Sequence, residues 1–429
     1  MTTAIKYKTY STFKPSGIDW LGNIPEEWES WKVAHLFNKI GSGTTPPSDN
    51  MDYYEGDIPW VITGELKDNE IFDSENKVTK RAIQELSALK IFPKNSLLIA
   101  MYGATIGKMA ILRIPATTNQ ACCILGDSKL IDTDFAFYYF LSFRPHLIAL
   151  SYGGGQPNIS QDTIKSIKIF LPALTEQKEI VNFLDRETAK IDEVVEKKQK
   201  LIELLLEKRQ GIISQAVTKG LNPKVKMKDS GILWLAKIPE NWETKPLKRV
   251  VQNKVIKGID KELPFLALEH VISGEGVLIP EYEQEIVKAD EYAVFDTGQI
   301  LFGKLRPYLR KFYRPNFEGC CPTEFLVLSP QKNVNDDYIF YLVQSSYFIS
   351  LTNATSYGVK MPRTSWEALS TYYIPLPPEN ERVAIANYLN RITLNVNLLI
   401  NTIKAQNQKL QEFRQALISN VVTGKVKVN

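Results

Sequence analysis

The chain repeats itself, and the repeat decides which architectures are open to it. Gly17, Trp20, Ile24, Pro25 and Trp28 recur in register as Gly231, Trp234, Ile238, Pro239 and Trp242. A second block returns Ser151-Tyr152-Gly153 as Ser356-Tyr357-Gly358, Pro157 as Pro362, Ser160 as Ser365 and Leu171-Pro172 as Leu376-Pro377. It runs on through Asn182 and Asn387, Arg209-Gln210 and Arg414-Gln415, Ser214 and Ser419, and Thr218 and Thr423. The register slips by nine residues between the blocks, so the first copy is longer in its middle. Alike at their ends and unlike in their centres, the copies suit one scaffold carrying two different heads.

Each copy ends in a segment that reads as a long helix. From Thr175, an expected N-cap, to Thr218 there is no proline, and Gly211 is the only glycine. Leu184, Ile191 and Leu205 fall on a seven-residue spacing that Lys198 interrupts, with Val195 and Ile202 beside them. Leu389, Val396, Ile403 and Leu410 repeat the stripe in the second copy. Such a stripe predicts helix–helix packing through Leu184, Ile191, Ile202, Leu205, Leu389, Val396, Ile403 and Leu410. About 40 residues would reach roughly 60 Å at the helical rise. If a two-fold axis relates the copies, the helices run antiparallel.

Between these marks lie short apolar runs such as 96–101, 109–113, 299–302 and 325–328, which read as strands, and helical stretches at 135–143 and 336–344. The expected fold is therefore mixed α/β: two pseudo-symmetric α/β heads separated by two long helices in an antiparallel coiled coil. The expected boundaries are 1–172 for the first head, 173–222 for the first long helix, 223–375 for the second head and 376–429 for the second helix and tail.

Composition narrows the function. No apolar run is long enough to span a bilayer, and the polar N-terminus lacks the apolar stretch of a secretory signal, so a cytoplasmic location is expected. The four cysteines form two adjacent pairs, Cys122-Cys123 and Cys320-Cys321, without metal-ligand spacing; with only three histidines, no metal site is expected. The Asp/Asn-Pro-Pro-aromatic loop of amino-methyltransferases does not occur, and Gly103 to Lys108 falls one residue short of a phosphate-binding loop and reads as a turn between strands. No catalytic residues are expected. A net charge of +4 leaves any nucleic-acid surface as a local patch.

Three loops offer such patches. The most basic holds Lys304, Arg306, Tyr308, Arg310 and Lys311, followed by Tyr313 and Arg314; cations neutralise phosphates, arginine pairs with guanine edges, and tyrosine packs on sugar or base. Its counterpart in the first copy, with Tyr102 and Lys108, is glycine-rich and far less basic. The second loop precedes each long helix: Gln156, Asn158 and Ser160 in one copy, Lys360, Arg363 and Thr364 in the other. Gln and Asn suit adenine, Lys and Arg suit phosphate or guanine. The third carries Thr44 and Thr45 ahead of Pro46-Pro47.

Together these segments resemble the specificity subunits of type I restriction–modification enzymes. The carriers are residues 17–28, Gly43-Thr44-Thr45-Pro46, Gly56-Asp57 with Pro59-Trp60, Gln156-Pro157-Asn158-Ile159, and Leu171-Pro172 leading into Glu176-Gln177. The second copy departs at Glu381-Arg382 and lacks the Gly-Thr-Thr-Pro loop. The resemblance implies two target-recognition domains, each reading half of a bipartite double-stranded DNA site, with the helices as a ruler for the gap. It implies two methyltransferase subunits, binding S-adenosylmethionine, and restriction–translocase subunits, using ATP and Mg, as partners. No cofactor in this chain and no membrane partner is implied. A methyltransferase with an unrecognised motif and a stand-alone coiled-coil scaffold are the alternatives.

Overall fold

A computed structural model describes residues 8–153, 157–332 and 334–428. The chain forms two compact units. One comprises residues 1–196 with 406–429, the other residues 197–405. Two long helices, Leu174–Lys219 and Glu379–Val422, are each divided between the two units. The first helix starts one residue before Thr175: the Gln177 amide donates to the Ala173 carbonyl, so Thr175 lies inside the first turn and does not cap it. The buried Gln177 side chain does the joining instead. Its carboxamide donates to the carbonyls of Leu130 and Pro172 and accepts from the Asp132 amide.

In the first unit five strands lie side by side in the order Lys39–Gly41, Cys122–Gly126, Ser96–Ala100, Met109–Leu112 and Asn69–Ile71. All neighbours are antiparallel except the last pair. In the second unit four antiparallel strands run Val251–Asn253, Phe325–Pro330, Ile300–Gly303 and Phe312–Tyr313. The first four strands of one sheet answer the four of the other, and Asn69–Ile71 is an addition. The central strands are continuous apolar runs, which lets a helix cover one face while loops cover the other.

The repeated Ile-Pro-x-x-Trp motif explains itself in the packing. In the second unit Trp242 is fully buried against the turn that ends the first long helix, where Gly220 sits at φ +76°. In the first unit Trp28 and Pro25 pack on Gly424, at φ +71°, just past the end of the second long helix. Glycine is the residue for such a left-handed helix terminus. Each head therefore docks on the end of the helix that precedes it in the repeat, and for the first head that helix comes from the other end of the chain.

The predicted stripe distributes accordingly. Leu184 and Ile191 enter the core of the first unit with Leu417, Ile418 and Val421, and Leu410 packs at its margin. Leu389 enters the core of the second unit beside Ile385 and Trp242, among head residues. Ile202 and Ile403 meet Ile400, flanked by Leu205 and Val396, in a separate cluster within the second unit. The partners run antiparallel: Arg209 bonds Asn397 at 2.7 Å in the second unit, and Arg414 pairs with Asp192 at 2.9 Å in the first.

All four cysteines are buried and free. Burial pushes the Cys122 and Cys123 thiols up to about 12, which leaves them inert small apolar side chains at neutral pH. No helix among the described residues is long and apolar enough to cross a membrane.

Candidate nucleic-acid interface

Two of the predicted loops, far apart in sequence, are sewn together in each head. In the first, the hairpin loop after Ser96–Ala100 turns through Gly103–Thr105, with Gly103 and Gly107 at positive φ, as the glycine spacing predicts. Asn158 bridges Tyr102 of that loop and also Tyr152 of its own. It exchanges both backbone hydrogen bonds with Tyr152, each 3.0 Å, while the Ile159 amide donates to the Met101 carbonyl at 2.8 Å. In the second head Arg363 bridges Leu305 and Tyr357 in the same way. Arg363 and Tyr357 exchange bonds of 2.9 and 2.8 Å, and the Thr364 amide donates to Lys304.

The remaining predicted residues take varied places. Gln156 lies outside the described residues. Ser160 caps the short helix Gln161–Ser166 by accepting from the Thr163 amide. Next to it, the Gln161 carboxamide donates to Ser42 at 2.9 Å and so ties in the third loop. There, Thr45 donates to Gln120, and the Trp60 indole donates to the Thr44 carbonyl. Gly43 is obligatory, because a Cβ would run into the Thr118 carbonyl. The three loops of the first head thus share one edge. Lys108 pairs with Asp68 at 3.0 Å, and Asp68 also takes the Arg144 guanidinium.

The basic loop of the second head is less open than its composition suggests. Arg310 and Lys311 turn toward their own unit: Arg310 donates to the Gln344 carbonyl and Lys311 to that of Val271. Burial, with Arg209 nearby, lowers the Arg310 pKa. Arg314 follows them inward, pairing with Asp337 and lying over the Phe340 ring. Arg306 is half-buried in the left-handed region at φ +47°. Tyr308, Tyr357, Lys360 and Arg363 stay exposed. Lys304 and the buried Thr364 line a cleft of about 170 Å³ with Tyr357, Arg363, Glu324 and Asn253. Burial lowers the Lys304 pKa against the opposing pull of Glu324. Glu324 also meets Arg363 at 3.4 Å. Sequence reading missed Glu324, Ser42 and Gln161, because each matters through a partner dozens of residues away and no local pattern marks it.

The model of the type I restriction modification DNA specificity domain matches this chain twice, over residues 25–204 and 239–409. The chain belongs to that family. Each match covers one head and runs into its long helix. Among curated relatives, the type I restriction enzyme MjaIX specificity subunit of Methanocaldococcus jannaschii is 24% identical over the whole of this chain and 99% of its own length. The MjaVIII specificity subunit of the same organism is 25% identical over 94% of each. Two solved structures share the fold. A chain from work on complex assembly and conformational transition of the type I R-M system covers 93% of this one and 98% of itself, with 15% identity and a TM-score of 0.70. The HsdS subunit from Thermoanaerobacter tengcongensis covers 94% and 98%, with 16% identity and a TM-score of 0.50. Family membership makes DNA sequence specificity within a type I assembly the function of this chain. The departure at Glu381-Arg382 is also accounted for: Arg382 donates to the Pro377 carbonyl at 2.7 Å, as Gln177 does to Pro172.

Proposed function

We propose that each head reads one half of a bipartite double-stranded DNA site with its joined loops, and that the chain itself carries out no chemistry. The observation behind this reading is that both heads hold the two loops by the same backbone bridges while the side chains on them differ. A constant frame with variable contacts is what two readers of different sequences require. In this reading Thr44, Thr45, Tyr102, Asn158, Lys304, Tyr308, Lys360 and Arg363 face DNA, while Ser160, Arg310 and Lys311 hold the loops in place. Two methyltransferase subunits bring S-adenosylmethionine, and restriction–translocase subunits bring ATP and Mg. The long helices act as a ruler for the unread gap, much as dimer geometry fixes half-site spacing elsewhere.

The test is a map of methylated adenines in the host genome with the gene present and deleted. One bipartite motif should vanish on deletion; an unchanged methylome would refute the reading. Inserting about one turn, roughly four residues, into both long helices at facing positions should lengthen the gap and leave both half-sites unchanged.

A further inference from the structure

Asn158 and Arg363 occupy the same place in their heads. Each exchanges both backbone hydrogen bonds with a tyrosine of its own loop, Tyr152 or Tyr357, and each bridges the neighbouring hairpin loop as well. Gly153 and Gly358 follow those tyrosines in the same left-handed conformation, at φ +99° and +94°. The backbone at this position is thus fixed from two sides, and its side chain is the one large difference. Among the described residues of its own head, neither side chain is used up. Arg363 is exposed, and its ion pair with Glu324, at 3.4 Å, is long. The half-buried Asn158 carboxamide makes no hydrogen bond to any described residue.

A carboxamide and a guanidinium are the two side-chain forks that fit purine edges in the major groove. Asparagine pairs with adenine N6 and N7, arginine with guanine O6 and N7. A reader must also be held still, since a floppy fork spends its binding energy on becoming ordered. The double bridge holds the backbone here, and Glu324 steers the guanidinium without occupying both of its edges.

Resting on the DNA-reading function proposed above, we infer that this doubly bridged position is a base-reading position in both heads: Asn158 reads an adenine in one half-site and Arg363 a guanine in the other.

The test uses the full chain coexpressed with its methyltransferase partners. The wild type should methylate one bipartite motif. Arg363→Asn should change one guanine to adenine in one half and leave the other half intact; Asn158→Arg should do the reverse in the other half. In binding assays on duplexes carrying the wild-type motif, replacing that guanine should cost the wild type roughly 5- to 150-fold. Arg363→Ala removes every donor at this position, so it should lose this discrimination, while its binding to an unrelated duplex falls only by the one lost charge. Equal discrimination by Arg363→Ala and the wild type, or unchanged motifs in both swaps, would overturn the base-reading roles and leave the DNA-reading function standing. Absence of any bipartite motif with the wild-type chain would overturn both.

Discussion

The two heads share a frame and differ in what they hang on it. The first has a five-stranded sheet with the added strand Asn69–Ile71; its hairpin loop carries little charge, and its Lys108 is already paired with Asp68. The second has a four-stranded sheet and a hairpin loop dense in cations, yet Arg310, Lys311 and Arg314 are spent on its own carbonyls and on Asp337. The lesson is that charge counted along a segment is not charge presented. What distinguishes the heads at their loops is a handful of positions, with Arg363, Lys304 and Lys360 on one side and Asn158 on the other.

The comparison breaks most readily where the frame is tightest. Both long helices end on a left-handed glycine beneath a buried tryptophan, but the surroundings differ. A Cβ on Gly424 would collide with the Pro25 ring, which is fixed; a Cβ on Gly220 would meet the end of the Glu381 side chain at 2.9 Å, which can swing away. Both alanine variants incur about 1–2 kcal/mol for the backbone conformation. Gly424→Ala should lose about 1–3 kcal/mol more through overpacking. Urea unfolding of the full chain checks this; equal midpoints would mean that the Pro25 side yields as easily as Glu381 does.

A smaller contrast separates the repeated arginines. Arg209 is buried and donates to Asn397 and to the Gly274 carbonyl, at 2.7 and 2.6 Å. Its equivalent, Arg414, makes a partly exposed pair with Asp192. Arg209→Ala strands two acceptors and should cost about 3 kcal/mol. Arg414→Ala should cost about 1 kcal/mol or less, and that cost should shrink further in high salt. Denaturation at two ionic strengths distinguishes them. Similar losses would show that the repeat keeps the same energetics at both positions.

Much of this frame was legible in the sequence, for a physical reason. Periodicity acts within a few residues, so the long helices, the strands near residues 96–101 and 325–328, and the helix at 336–344 could be read directly. The turn at Gly103 was legible because only glycine takes that backbone without strain. The loop pairing was not, since Asn158 meets Tyr102 and Arg363 meets Leu305 through backbone bonds that no side chain encodes. Thr175 misled because a threonine before an apolar run looks like a cap, whereas here the Ala173 carbonyl takes the first helical bond and the buried Gln177 side chain secures the junction. The inward turn of Arg310 and Lys311 was not legible for a related reason: their acceptors, the carbonyls of Gln344 and Val271, are dozens of residues away.

The smallest effect sharpens the charge contrast between the loops. Each lysine held against a phosphate steepens the dependence of log K on log salt by about 0.9. Lys304→Ala with Lys360→Ala should therefore flatten the slope by about 2 at most. Lys108→Ala should change it far less, because Asp68 already holds that ammonium. Equal changes would mean that DNA pulls Lys108 away from Asp68 and that the first head contributes as much to phosphate binding as the second. Raising the pH tests the same point from another side. Burial lowers the Lys304 pKa, so this lysine sheds its proton before an exposed one does, and its share of the slope disappears first on the alkaline side. Lys304→Arg holds its charge across that range and should keep the slope constant there. If the wild type kept a constant slope as well, phosphate would be restoring the Lys304 proton on binding, and the binding reaction would then take up protons at alkaline pH.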